Sequence, residues 1–241
     1  MAHIFKVSAL YLAVAFAMLG LRAPAYAAEK ASSEMQKRLQ TSAEVLTEMM
    51  SEPDKSIPPE VLARAKCVAV IPSVVKVALG VGGRHGKGLA TCRTTKGWSA
   101  PGPISITGGS VGLQIGTQSV DIILVILDRD PFKELLVKKF KIGSEDGGTP
   151  GPTGSETARN DWQDAKILTY SRSHGVFAGV TLKGATLKQD KDGIVQLYGR
   201  YVPIEALLEG KVAPPRASHQ FLATVRKYVA DAQQHSQGKP V

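Results

Sequence analysis

The chain is poor in the residues that build several common kinds of site. Two cysteines among 241 residues exclude a disulfide-dense scaffold and a zinc site built on four cysteines. The five histidines show no metal-ligand spacing, even when the cysteines are added. Aromatic residues make up only 6% of the chain, and no regularly spaced set offers a platform for stacked bases. We therefore expect no metal, no cofactor and no nucleic-acid partner.

Acidic residues are also in short supply. The chain has 30 basic and 21 acidic residues and a formal net charge of +9. Residues 60–141 alone hold 12 basic and 5 acidic residues. An excess gathered in one segment predicts a basic face and an anionic partner such as a membrane surface. The hydrophobic fraction of 43% is enough to bury a core, which excludes a largely disordered chain.

Long apolar runs are absent except near the N-terminus. Lys6 precedes an apolar stretch from Val7 to Leu21, and Ala25-Tyr26-Ala27 matches a small-x-small cleavage signature. At roughly 15 residues the stretch is shorter than the ~20 that a spanning helix needs. We predict a signal peptide over 1–27, a mature single domain over 28–241, and export to the periplasm or envelope.

Hydrophobic periodicity predicts an α+β fold. Helices are expected at 33–51, after Pro58, and at 131–139, 203–209 and 216–234. Short strands are expected at 67–71, 77–81, 88–92, 104–106, 111–115, 121–127, 165–171 and 176–182, with another after Gly184. The connections are too short for helical crossovers, so the sheet should be antiparallel, barrel-like if its edges meet, with flanking N- and C-terminal helices. Glycines inside strands indicate bulges, bends or close backbone approach.

Cys67 and Cys92 fall on two of these strands. In an exported protein, a pair of cysteines on neighbouring strands of one sheet more often forms a disulfide than stays reduced. We predict this bond.

The glycine-rich stretch 82–88 resembles a phosphate-binding loop only superficially. Gly88 stands where the metal-binding hydroxyl belongs, and a strand follows instead of a helix. We expect a cationic turn at a hairpin tip, which would present Arg84 and Lys87.

Residues 108–112 fit the pattern of a hydrolase nucleophile elbow around Ser110. The residues that follow alternate like a strand, and no spacing ties Asp121, His174 or His219 to the serine. A structural role for the motif is therefore favoured over catalysis.

Three features of the sequence each allow more than one structural interpretation. Asp121 opens the most apolar strand and needs either a basic partner or backbone N–H groups. Trp98 follows a basic turn and fits either a membrane interface or the core. The helix at 33–51 could lie on a membrane, but acidic residues offset its basic ones, so packing on the sheet is favoured.

Several stretches, in this order and spacing, resemble the SYLF domain family over roughly residues 35–228. They are Ile57–Lys66 with the strand Val68–Ile71, Gly97–Pro101, Gly108–Gly116 with Asp121, Gly151–Gly154, and Tyr170–Gly184. The resemblance implies a lipid-binding module without a catalytic residue set. Eukaryotic relatives bind phosphoinositide membranes, and some bind actin and carry SH3 domains. The predicted export argues against actin and inositol lipids, and Ser155 stands where relatives often have arginine.

The sequence thus favours a non-enzymatic phospholipid-binding protein that docks peripherally on anionic membrane surfaces. The charge-based headgroup candidates are Arg84, Lys87, Lys96, Lys138, Lys139 and Lys141. One alternative is an envelope structural or stress protein that binds a protein or an acidic polymer. A hydrolase using Ser110 is the third.

Overall fold

A computed structural model describes residues 22–51, 57–129, 140–142, 149–150, 164–173, 176–179, 182, 185–236 and 238. Its helices are α1 (Arg22–Met50), α2 (Pro59–Ala63), α3 (Lys191–Tyr198), α4 (Ile204–Leu208) and α5 (His219–Ser236), the last preceded by a 3₁₀ turn at Arg216–Ser218. Its strands are β1 (Cys67–Thr94), β2 (Gly97–Trp98), β3 (Gly102–Ile126), β4 (Phe140–Ile142), β5 (Thr149–Pro150), β6 (Ile167–Ser173), β7 (Val176–Gly179) and β8 (Ala185–Gln189). The α+β prediction is confirmed. The predicted helix at 131–139 lies outside the described residues.

The sheet is antiparallel except where β5 runs parallel to β6. Its pairing order is β2-β1-β3-β6-β5, with β8 bonded to β3 and β4, and β7 bonded to β6. Among the described strands these pairings form an open path rather than a closed ring.

Strands β1 and β3 form one long two-stranded ribbon. Their register runs from Cys67 opposite Ile126 to Ala90 opposite Gly102, with shifts at Ile71/Val74 and Leu79/Gly80. The sequence-based division of this region into six short strands was therefore wrong. The glycines that suggested turns instead lie inside continuous strands, at bulges and at points of close approach.

The ribbon is folded so that the two halves of β1 lie against each other. A Cβ built on Gly88 would lie 2.2 Å from the Val70 carbonyl oxygen and 2.8 Å from Ile71 Cα. One built on Gly86 would lie 2.7 Å from a Val74 methyl carbon. We call these contacts between Ile71, Val74, Gly86 and Gly88 the seam. Gly86 and Gly88 must be glycines, because a larger side chain would collide with the opposite layer.

Beyond the seam the two halves are joined covalently. Cys67 and Cys92 form the predicted disulfide, with their Cα atoms 3.9 Å apart. Next to it, the Arg93 N–H donates to the Lys66 carbonyl at 2.7 Å. The disulfide prediction is confirmed.

Two hydrophobic cores lie on opposite faces of the apolar part of β1. Cys67, Ala69 and Ile71 face the core that holds Ile194 of α3 and the apolar side chains of α4. Val68 and Val70 face the core formed with α1, α2 and α5. Burial on both faces explains why this stretch is continuously apolar instead of alternating.

Helix α1 packs on the sheet, as predicted. Met35, Leu39, Ala43 and Leu46 are buried in the second core, while Met50 is half-buried. The helix begins at Arg22, well before the predicted start at residue 33. No described helix combines the length and the apolar character needed to cross a membrane.

The later helices and strands follow the sequence closely, with one omission. β6, β7, β8, α4 and α5 fall within a few residues of the predicted spans. Helix α3 was not predicted, although Asp190 caps it by accepting a hydrogen bond from the Gly193 N–H at 3.1 Å.

Candidate functional site

The stretch that carries Arg84 and Lys87 is not a hairpin tip. Both residues lie inside β1, where Arg84 pairs with Gly108 and Lys87 with Ser105. Because the strand is regular here and the two residues are three apart, their side chains leave opposite faces. The predicted single cationic tip is therefore wrong: glycine serves the seam here, not a turn.

Lys87 belongs to a pair of polar rows that cross the sheet. One row joins Lys87 of β1, Ser105 of β3 and Lys188 of β8. The neighbouring row on that face joins His85, Thr107, Thr186 and the backbone position of Lys141 in β4. We call these two lines the basic rows. His85 and Lys87 are exposed and Lys188 is half-buried, so the rows present lysine charge to solvent from β1 and β8.

Asp190 holds the edge of the basic rows in place. Its Oδ2 atom is 2.8 Å from Arg38 Nη1 and 3.7 Å from Lys87 Nζ, and its side chain is only 7% exposed. Arg38 comes from α1, so one buried carboxylate ties that helix to β1 and to the start of α3. The Lys87 side chain remains 43% exposed, which leaves its ammonium group able to meet an outside anion.

Arg84 lies on the inner face of the folded ribbon together with Lys76. Burial lowers the pKa of Arg84. Burial, and then the nearby charge of Arg84, lowers the pKa of Lys76. These two cations therefore belong to a different environment from the basic rows.

The other residues that were predicted to bind headgroups do not all lie near the basic rows. Lys96 is exposed in the β1–β2 turn, roughly 20 Å or more from Lys87 along a strand that rises ~3.3 Å per residue. Lys138 and Lys139 lie outside the described residues. Of the six candidates, Lys87 and the backbone position of Lys141 fall in the two basic rows, whereas Arg84 and Lys96 lie elsewhere.

Trp98 sits between the two environments that the sequence left open. It is half-buried against the second core, and the Arg93 guanidinium lies 5.4 Å from its ring centre. Beside it is a cavity of about 430 Å³, whose lining includes Lys96, Pro214 and Arg226. The ring therefore contributes to the core and to a basic-edged cavity.

Asp121 uses both kinds of partner considered for it. Its Oδ1 atom accepts the Ser73 N–H at 2.9 Å, and its Oδ2 atom is 3.1 Å from Arg172 Nη2. Arg172 also pairs with Glu48 of α1. Ser73 has a φ of +50° next to the register shift at Ile71/Val74, so the carboxylate fixes a strained bulge. This arrangement is structural.

The backbone around Ser110 does not form a nucleophile elbow. Ser110 pairs with Gly82 in the middle of the ribbon, so the strand-to-helix turn that the motif requires is absent. Of its proposed partners, His174 lies outside the described residues. Within the described part of the chain, no cluster of His, Cys, Asp and Glu residues could hold a metal ion.

Sequence reasoning missed Lys188, Asp190 and Lys76 as members of these sites. A polar residue at every second position of β8 could have indicated Lys188. The Asp-Lys-Asp-Gly start of α3 could have indicated Asp190 as a cap. The position of Lys76 opposite Arg84 depends on the folding of the ribbon and has no local signal.

Comparison with known proteins supplies independent information. A family model described as "Ysc84: Las17-binding protein actin regulator" matches residues 107–228. "LAS seventeen-binding protein 3" of Saccharomyces cerevisiae is 31% identical over 170 residues, 68% of this chain and 37% of that protein. "SH3 domain-containing YSC84-like protein 1" of Rattus norvegicus is 32% identical over 181 residues, 73% of this chain and 53% of that protein. The chain therefore spans about half the length of these relatives, or less.

Proposed function

The chain belongs to the Ysc84 family, which is the SYLF domain family, and from this premise we propose that it docks peripherally on anionic phospholipid surfaces. Family members are described by what they bind: the family description names a Las17-binding actin regulator. No reaction appears in those names, which supports a binding role rather than catalysis.

The observation that carries the proposal is the pair of basic rows. Lys87 of β1 and Lys188 of β8 flank Ser105 of β3 in one row, and the register position of Lys141 in β4 falls in the neighbouring row. Lysines spread over one face of a sheet suit the flat array of phosphates on a bilayer. The imbalance of 12 basic to 5 acidic residues in 60–141 adds a long-range attraction of the same sign.

The expected attachment is reversible and sensitive to salt. Each lysine near an anionic surface contributes about 1 kcal/mol. Three such contacts give weak binding that depends on several headgroups at once. Because the screening length falls from ~10 Å at 0.1 M salt to ~3 Å at 1 M, high salt should release the protein.

Export would place this surface in the periplasm or envelope. The proposal rests on Lys6, the apolar stretch and Ala25-Tyr26-Ala27. Sequencing the N-terminus of the protein from the exported fraction should give Ala28. Finding Met1 on a cytoplasmic protein would contradict this part of the proposal.

A second candidate function is binding to a protein partner. The name of the yeast relative states that it binds the protein LAS seventeen. A partner held by apolar and hydrogen-bonded contacts would bind with little dependence on salt. Salt-insensitive capture of an envelope protein, together with failure to bind any vesicle, would favour this function.

Vesicle flotation tests the lipid proposal. The protein should float with vesicles of phosphatidylcholine mixed with phosphatidylglycerol, and much less with phosphatidylcholine alone. The double substitution Lys87→Gln/Lys188→Gln removes about 2 kcal/mol of attraction, so binding should weaken about thirtyfold. The matched control, Lys211→Gln/Lys227→Gln, removes two exposed lysines elsewhere and should reduce binding far less. No flotation with any anionic vesicle at low salt would overturn the proposal.

A further inference from the structure

Arg84 and Lys76 face each other across the folded ribbon. Successive contacts of the seam place Gly88 on Ile71 and Gly86 on Val74. Two residues further along each layer, the same face of β1 presents Arg84 on one side and Lys76 on the other. Both residues are about half-buried in this position.

The Arg84 guanidinium lacks the partners that a buried arginine normally has. Its Nε and Nη1 atoms are both buried and make no hydrogen bond. A buried donor without an acceptor is costly, and more so when the donor is charged. Most polar groups in protein interiors avoid this state.

The neighbouring charge makes the arrangement more unfavourable. Lys76 carries the same sign, and the Coulombic effect of Arg84 helps to lower its pKa. Among the described residues neither cation forms an ion pair with a carboxylate. Two neighbouring cations, one of which has unused N–H groups, are an arrangement that an anion would stabilise.

We propose that Arg84 and Lys76 bind a phosphate group between the two layers of the ribbon. The planar guanidinium holds its unused Nε–H and Nη1–H donors at fixed angles for phosphate oxygens, while the ammonium contributes a point charge to the same group. The inference rests on the proposed function in so far as the phosphate belongs to a lipid headgroup. A free phosphate has the same recognition chemistry.

The first experiment uses inorganic phosphate and the full chain. The Arg84 Nε–H resonance, identified by its loss in the Arg84→Gln variant, should shift and saturate as phosphate is added. By calorimetry, Arg84→Gln should weaken phosphate binding at least tenfold, and Lys76→Gln should weaken it severalfold. Arg84→Lys keeps the charge but loses the planar pair of donors, so it should fall between wild type and Arg84→Gln. Arg216→Gln, which removes an exposed arginine, is the matched control and should bind like wild type.

The second experiment repeats vesicle flotation with the same variants. If Arg84→Gln weakens both phosphate binding and binding to phosphatidylglycerol vesicles, a lipid headgroup supplies the phosphate. If only phosphate binding is lost, the site takes free phosphate and the proposal still holds. If phosphate leaves the Arg84 resonance unchanged, and Arg84→Gln behaves like Arg216→Gln in both experiments, the proposal is overturned. That failure would leave the basic rows untouched, since their test uses Lys87 and Lys188.

Discussion

Two regions of the folded β1–β3 ribbon are built from the same two strands but serve opposite purposes. The apolar end pairs Cys67–Ile71 with Ile122–Ile126, and its side chains are buried in two cores and closed by a disulfide. What we call the cationic end is the middle of β1, from Lys76 to Gly88, which carries Arg84, Lys87 and many glycines. The apolar end is dominated by buried apolar contacts, whereas the cationic end holds a buried guanidinium, that of Arg84, with two nitrogens that make no hydrogen bond.

The difference indicates where stability and binding reside. Burial of apolar surface stabilises a fold without the need for a bound ligand. Cations that are buried or close to one another, in contrast, destabilise the fold unless an anion binds to them. The seam joins the two ends, so a change there should affect both, whereas changes beyond it should affect only one.

The largest effect should come from breaking the seam itself. Gly88→Val would place side-chain atoms within 3 Å of the Val70 carbonyl and the Ile71 backbone, so the two layers must separate. We expect a loss of about 4 kcal/mol in the free energy of unfolding, measured by urea denaturation followed by circular dichroism. Gly83→Val is the control, since a Cβ there meets nothing closer than 3.9 Å. Equal stability of the two variants would contradict the seam.

Opening the disulfide should be the next largest perturbation, and it should act on the apolar end alone. The bond joins residues 25 apart, and closing such a loop is worth roughly 3 kcal/mol in the chain-entropy model. Cys67→Ala/Cys92→Ala should lower the unfolding free energy by about that amount. Binding to anionic vesicles, measured below the unfolding temperature, should be preserved. Loss of vesicle binding in a folded variant would show that the two ends are not separable.

Tyr170 offers a pH test confined to the apolar end. Burial raises the pKa of Tyr170 well above its ordinary value of 10.0, so the folded protein keeps the phenol neutral while the unfolded chain ionises. Stability should therefore be complete below about pH 10 and fall as the pH rises beyond it. Tyr170→Phe should flatten this decline in denaturation experiments at high pH. An unchanged pH dependence in the variant would assign the decline to other groups.

The same substitution should not lower the free energy of unfolding at neutral pH. The Tyr170 hydroxyl is buried and makes no hydrogen bond, so Tyr170→Phe should leave stability unchanged or raise it by up to about 1 kcal/mol. Tyr198→Phe is the matched contrast, because the Tyr198 hydroxyl donates to the Pro101 carbonyl at 2.6 Å. That variant should lose about 1 kcal/mol. The reverse order of the two variants would contradict this account.

The apolar end was predictable from the sequence because its signals are local. Two apolar, β-branched runs, at 67–71 and 121–127, indicated buried strands. Cys67 and Cys92, on two predicted strands, indicated the disulfide. The fold class followed from the same kind of pattern, and so did most helices. These features depend on residues that are close in sequence and on the spacing of hydrophobic residues, and both can be read from a sequence directly.

The cationic end was predicted only in its composition. Glycine supports a turn, a bulge and a close approach equally well, so residues 82–88 suggested a hairpin tip that the structure replaces with an extended strand. That error placed Arg84 and Lys87 together, whereas strand alternation separates them onto opposite faces. Lys188 and Lys76 join the sites through sheet register and folding of the ribbon, which are long-range properties.

Hydrogen exchange in the presence of vesicles tests the division between the two ends most directly. Phosphatidylglycerol vesicles should slow amide exchange at residues 82–88, 104–109 and 185–189, where the cationic end and the basic rows lie. They should leave exchange unchanged at the buried residues 67–71 and 122–126, and phosphatidylcholine vesicles should have no effect on either group of amides. Protection confined to the Trp98 cavity, or an equal change at both ends of the ribbon, would contradict the account.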